Sequence, residues 1–231
     1  EERAQPGYYA VRLASHGVRV ELTAAPKVAL HRYRFDRPGR VQVLVDLQHG
    51  LHLVDGPAAL AAEVRPRPDG LQGTVWRRNW VERQLSFALH FDHPVVKQQT
   101  LPPREGEKAP RLLLDFDLGT GRTLEARIAL STVDEAGAQR NLDTALGQSF
   151  DAVRSAADVA WNGLLSRIRI QGDARTQRLF YSALYRTMQH PSDIADADGR
   201  VRGPRGLPGL LLLHLHLDRG GAQQMARIPE A

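Results

Sequence analysis

Over the first half of the chain, polar and apolar residues alternate with a period of two. Tyr8 to Leu13 alternates, Ser15-His16-Gly17 supplies a turn, and Val18 to Leu22 alternates again with its apolar residues on one side. Val28 to Phe35 sets Val28, Leu30, Arg32 and Arg34 against Ala29, His31, Tyr33 and Phe35. Pro38-Gly39 marks the next turn. Val41, Val43 and Val45, with Leu44 on the other side, predict a well-buried strand. The segment 56–68 is interrupted by Pro57, Pro66 and Pro68 and has room for a short strand at Ala61 to Val64. Further strands are predicted at Gly73 to Trp80, Gln84 to Phe91, Leu112 to Asp117 and Leu124 to Leu130, with Val95 to Pro110 as a polar loop. Strands at a spacing of roughly ten residues with turns between them point to a β-sandwich.

From Asp134 the period changes. Asp134 to Leu146 and Phe150 to Ser166 contain no proline, are rich in Ala, Leu, Gln and Arg, and read as helices. The second carries a broad apolar stripe from Phe150 and Val153 through Ala157, Ala160 and Trp161 to Leu164 and Leu165. A third helix is predicted over 173–190. Asp173 serves as its N-cap, Leu179, Phe180, Ala183, Leu184 and Met188 share one face, and Pro191 stops it. The fold class is therefore α+β in two domains. Residues 1–133 form a β-sandwich, 134–171 a helical linker, and 172–203 the opening of a second, helical domain.

Composition narrows the function classes. The chain has 231 residues, 42% of them hydrophobic and 25% charged, as in an ordinary globular protein. With no cysteine there is neither a disulfide framework nor a thiolate metal site. The net charge is +5, but the positive residues are nearly all arginines scattered among acids, a pattern that argues against nucleic-acid binding. Leu210 to Leu213 is too short to span a bilayer. No signal peptide opens the chain, because Glu1 and Glu2 carry the wrong charge and no apolar core follows them. The chain does not begin with Met, and an N-terminal portion is expected to precede it. No nucleophile elbow, P-loop, dinucleotide fingerprint or zinc-protease motif is present.

The polar chemistry gathers where the third helix ends. His190 closes it, followed by Asp193, Asp196 and Asp198, then Gly199 and the arginines Arg200 and Arg202. Such a loop suits a polar ligand. It also suits structural roles: His190 on the helix dipole, the aspartates as loop or cap residues, and an Asp198–Arg202 pair. An EF-hand register fails, since its first and twelfth positions would be Ile194 and Arg205. Trp76, Trp80 and Trp161 read as core or interdomain residues, and His31, His49 and His52 as structural.

The run FYSALYRTMQHPSDIADADGRVRG, residues 180–203, resembles the hallmark segment of the glycoside hydrolase family 92 exo-α-mannosidases. Pro6 to Phe35 and Val43 to Gly50 are also similar to that family. The resemblance implies an N-terminal β-sandwich, a linker and a catalytic (α/α)6 toroid, of which 173–190 is the first helix and the remainder is not encoded here. It implies an inverting, calcium-dependent enzyme that removes terminal α-linked mannose from glycans, exported to the periplasm or secreted. His190, Asp196, Asp198 and Arg202 are the substrate-binding candidates. The acid, the base and most calcium ligands of the family lie further along the chain, so no catalytic or metal residue is assigned and the chain as given is expected to be inactive. The alternative reading is a non-catalytic carbohydrate-binding or interdomain β-sandwich module. Residues 204–231 depart abruptly from the family's aromatic-rich continuation, and their Leu/His run is what a shifted reading frame would give.

Overall fold

The structure is a computed structural model that describes residues 1–49, 58–78, 82–189, 192–203 and 208–210. Eleven strands come first. They are β1 (Glu2–Gln5), β2 (Tyr8–Leu13), β3 (Val18–Ala24), β4 (Val28–Phe35), β5 (Arg40–Asp46), β6 (Ala59–Arg67), β7 (Gly70–Arg78), β8 (Glu82–Phe91), β9 (Lys97–Leu101), β10 (Arg111–Asp117) and β11 (Thr123–Ser131). Three helices follow, α1 (Glu135–Asp143), α2 (Phe150–Leu165) and α3 (Ala174–Thr187), and then two short strands, β12 (Arg200–Arg202) and β13 (Pro208–Leu210).

The strands form an eight-stranded antiparallel sheet in the order β1-β2-β3-β4-β11-β8-β7-β6 and a three-stranded sheet, β5-β10-β9. The sandwich core lies between them. Leu71, Phe87, Leu89 and Phe91 of the large sheet meet Leu112, Leu114 and Phe116 of the small one, and the Phe91 and Phe116 rings stand 4.6 Å apart. The other face of the large sheet is covered too: Tyr8, Ala10, Val28, Leu30, Ala88 and Ala129 pack against Ala138 and Leu142 of α1 and Phe150 and Val153 of α2. This double coverage explains the two apolar faces of β4. Val28 and Leu30 point to the helices, while Tyr33 and Phe35 point into the sandwich.

A charge on the helix side of that sheet needs a partner, because desolvating it alone is expensive. Arg32 is buried. Its Nε donates to Glu125 Oε1 at 2.8 Å, its terminal nitrogens donate to both oxygens of Asp151 at 3.0 and 3.1 Å, and its guanidinium lies 4.1 Å over the Phe150 ring. Asp151 sits in the first turn of α2, so this fork fixes the start of that helix on the sheet.

Two strands fall outside the alternating pattern. β1 and β9 are sheet edges made of polar residues, ERAQ and KQQTL, and β9 occupies part of the segment predicted as a polar loop. Edge strands favour polar and charged residues because one side of each faces water, which hides them from a periodicity reading. Pro66 is tolerated inside β6 because β6 is also an edge. Helix α1 ends at Asp143, three residues short of the predicted Leu146. Helix α3 begins as predicted, with the Asp173 carboxylate accepting from Thr176 N at 2.7 Å, but its last helical residue is Thr187. Met188 caps it at φ −89°, ψ 0°, outside the α region. Among the described residues no helix is long and apolar enough to cross a membrane.

Candidate functional site

The loop after α3 packs back on the N-terminal domain. It is fastened to the junction of β11 and α1. Asp196 is 3% exposed. Its Oδ2 accepts from Ser131 Oγ at 2.7 Å, and its Oδ1 accepts from Asn141 Nδ2 at 2.9 Å. Asn141 is itself buried and fully used. Its Nδ2 also donates to the Leu130 carbonyl at 2.8 Å, and its Oδ1 accepts from Ala197 N at 2.6 Å. One carboxylate and one amide therefore join the last strand of the large sheet, the first helix and a loop 55 residues further on.

The loop's own backbone completes the arrangement. Asp196 N donates to the Arg200 carbonyl and Gly199 N donates to the Asp196 carbonyl, both at 2.8 Å, closing a tight turn. Gly199 sits at φ +81°, a left-handed conformation in which a side chain would be strained. Beyond the turn, Arg202 runs back along the sheet. Its Nε donates to the Thr132 carbonyl at 2.6 Å, and a terminal nitrogen donates to the Val133 carbonyl.

Asp198 lies at the rim of this junction. It stands 2.8 Å from Arg140 Nε and 3.0 Å from Arg200 Nε, and Asp134 lies 3.6 Å from Arg200 and 3.8 Å from Arg140. Asp193 points elsewhere, to Lys27 Nζ at 2.6 Å, and that cation together with the Ala195 amide holds its carboxyl below the usual carboxylate range. The acids of the loop are thus met by guanidiniums, an ammonium, a hydroxyl and an amide.

Of the four candidate residues, the structure brings Asp196, Asp198 and Arg202 to one junction. His190 lies outside the described residues, as do Trp80 and His52. The groups that receive these side chains, Ser131, Gly137, Arg140 and Asn141, were not singled out in the sequence. A signal was present: Gly137 and Asn141 are poor helix formers four residues apart, on one face of a nine-residue helix. The reason for Gly137 is steric. A Cβ there would lie 2.1 Å from Asp196 Oδ2 and 2.6 Å from Ser131 Oγ. Among the described residues no group of three or more His, Asp or Glu is placed to hold a metal ion, and the Asp196 and Asp198 oxygens are engaged by protein donors and cations.

A cavity of about 300 Å³ lies between the sheets beside His31 and Tyr33. His31 Nδ1 and Tyr33 Oη are 2.8 Å apart, and burial raises the phenol to about 12 and lowers the imidazole. Its remaining lining is almost entirely Val, Leu, Ile, Phe and Ala, which offers little to the hydroxyls of a sugar.

Known proteins place this junction in context. Residues 1–131 match the glycosyl hydrolase family 92 N-terminal domain, and residues 137–207 match the family's catalytic domain. An uncharacterized secreted glycosidase of Arthroderma benhamiae is 26% identical over 83% of this chain. An α-mannosidase of the family from Bacteroides thetaiotaomicron has a TM-score of 0.82 at 22% identity over 91% of this chain, and a structure of the same enzyme in complex with mannoimidazole superposes equally well. An inverting mannosidase of the same bacterium has a TM-score of 0.71 at 22% identity over 90% of the chain. These likenesses show the fold. The chain spans 29% of the fungal relative and 28–30% of the bacterial enzymes. With both domains of one family matched in order along it, and the Ser131–Asn141–Asp196 junction at the point where they meet, the chain belongs to glycosyl hydrolase family 92.

Proposed function

We propose that these residues are about a third of an exo-acting α-mannosidase that removes terminal α-linked mannose from glycans with inversion. The observation that carries this reading is the ordered match to both family domains, supported by the sandwich-and-helix fold that the chain shares with α-mannosidases. The place of action is outside the cytoplasm, as the secreted fungal relative suggests.

Inversion needs a protonated carboxyl on the leaving oxygen and a carboxylate base on the opposite face of the ring, with about 6.5–9.5 Å between them for the water. Asp196 and Asp198 do not offer such a pair. They belong to one tight loop and are tied to Ser131, Asn141, Arg140 and Arg200. In this reading the acid, the base and the calcium ligands belong to the whole protein beyond these 231 residues. The role of Asp196, Asp198 and Arg202 is to set the loop that follows α3 against the sandwich, and His190 at the near end of that loop is the residue left to meet the glycan.

The test is mannose release from α-1,2-mannobiose. The chain by itself is expected to release none, and the whole protein is expected to release mannose that appears first as the β-anomer by proton NMR. Hydrolysis by the 231-residue chain alone would overturn the assignment of the acid and base to other segments, and α-mannose as first product would overturn inversion.

A further inference from the structure

Helix α3 carries a second chemistry on the side away from its polar loop. Arg178, Tyr181, Ser182, Tyr185 and Arg186 follow one another at helical steps and line a groove of about 460 Å³, whose opposite wall includes Gln5 at the end of β1. That volume falls in the usual range of a small-ligand site. The two rings are already set. Tyr185 packs against Trp161 with ring centroids 4.7 Å apart, and Tyr181 Oη donates to the Ile168 carbonyl at 3.3 Å. Gln5 Oε1 is held by Arg3, at 3.1 Å from Nε and 2.8 Å from a terminal nitrogen, which leaves the amide nitrogen as a donor.

The charge here is uncompensated. Neither Arg178 nor Arg186 has an ion-pair partner among the described residues, and no carboxylate lines the groove. Helix α3 carries Arg175, Arg178 and Arg186 and no acid between Ala174 and Thr187. Elsewhere, Arg12, Arg32, Arg34 and Arg111 each face a carboxylate. The two free guanidiniums are eight residues apart, about 12 Å along the helix axis, with both tyrosines between them. Each guanidinium presents a planar fork that matches a carboxylate or phosphate, and an aromatic ring is a surface for the apolar face of a sugar.

We propose that this groove binds an acidic oligosaccharide, a chain of two or more sugar units carrying a phosphate or carboxylate. One arginine forks the anionic group. The other, with Ser182 and Gln5, takes hydroxyls of the neighbouring unit while the rings lie along Tyr181 and Tyr185. The site stands on its own residues and needs no hydrolysis by the chain.

The 231-residue chain is titrated with digalacturonate and with a mannobiose carrying a 6-phosphate, followed by calorimetry and by tryptophan fluorescence. Methyl α-mannoside and inorganic phosphate serve as comparators. Saturable binding of at least one acidic sugar is expected, weakening as salt rises and falling at least about tenfold when Arg178→Gln and Arg186→Gln are combined, because both charge-assisted forks are lost. Both positions are exposed, so the pair should keep its circular dichroism. Ser182→Trp, which fills the groove, should block binding with both arginines in place. No saturable binding of either acidic sugar overturns the proposal. So does binding unchanged in the paired variant, or inorganic phosphate binding as tightly as the sugars.

Discussion

Replacing Gly137 by alanine tests the junction directly. The new Cβ would lie 2.1 Å from Asp196 Oδ2, 2.6 Å from Ser131 Oγ and 3.0 Å from Asp196 Cγ. Relieving that overlap moves the carboxylate by about an ångström, and its bonds to Ser131 and Asn141, now 2.7 and 2.9 Å, cannot both survive the move. A hydrogen bond to a charged group is worth roughly 1.5–3 kcal/mol, and overpacking a tight site costs roughly 1–3 kcal/mol. Against this, alanine gains up to about 1 kcal/mol over glycine in a helix. The net expectation is a loss of about 2–3 kcal/mol, or roughly 4–12 °C in the melting temperature for a chain of this size. Gly163, in α2, is the control. A Cβ there meets nothing within 4 Å, so Gly163→Ala should stabilise by about 0.5–1 kcal/mol. Both are measured by urea unfolding. A Gly137→Ala protein as stable as the parent refutes the steric argument. So does a double variant with Asp196→Ala in which the two losses simply add, since without the carboxylate only the approach to Ser131 Oγ remains and the alanine should cost less.

The half-buried pair His31 and Tyr33 sets pH limits on stability. Tyr33 titrates near 10 when unfolded and at about 12 when folded, so stability should fall by roughly 2–3 kcal/mol as pH rises from 10 through 12, and Tyr33→Phe should remove that loss. His31 is lowered by burial from 6.5, so stability should also fall as pH drops below 6.5, with His31→Gln flattening the acid limb of the unfolding midpoint. At the surface, the bond from Arg111, with help from the Arg104 amide, holds the Glu107 carboxyl down at about 2. An NMR titration should find that midpoint in the parent and a return toward 4.5 in Arg111→Gln, and an unchanged midpoint would show that the pair does not persist in solution.

Much of the fold is legible in the sequence because burial imposes a period. β2, β4 and β11 alternate because one or both of their faces are covered, and the apolar side chains of β4 sort correctly between sandwich and helices. β1 and β9 escape because an edge strand obeys no such pattern. The helix starts at Asp134, Ser149 and Asp173 are local capping chemistry and can be read locally. The site is different. Asp196, Asp198 and Arg202 stand out as a polar loop, yet what each does depends on residues 55 to 70 positions away. A local Asp198–Arg202 pair was as reasonable from sequence as the observed partition, in which Asp198 meets Arg140 and Arg200 while Arg202 reaches the Thr132 and Val133 carbonyls. Nothing within the loop distinguishes an aspartate that faces a ligand from one that faces the protein.

That distinction has a consequence for α3. The helix has no buried residue, and Leu179 on its outer face is 64% exposed. Among the described residues its contact with the rest of the chain includes the Trp161–Tyr185 packing and the Tyr181 bond to Ile168. A helix that buries so little derives scant stability from packing, and an isolated fourteen-residue helix is marginal in water. The junction at Asp196 anchors the chain nine residues after α3 ends, so its loss should be felt along a helix it does not touch. Asp196→Ala leaves Ser131 and Asn141 without their acceptor and releases the loop. Amide hydrogen exchange across 174–187 should then accelerate by about tenfold or more, corresponding to roughly 1.4 kcal/mol of lost protection, while the β4 and β11 amides of the sandwich keep theirs. Asp196→Asn retains an acceptor for Ser131 but sets its amide group against that of Asn141, and should fall between the two. If α3 exchanges at the parental rate in Asp196→Ala, its position is fixed by α2 alone, and the junction holds the loop without holding the helix.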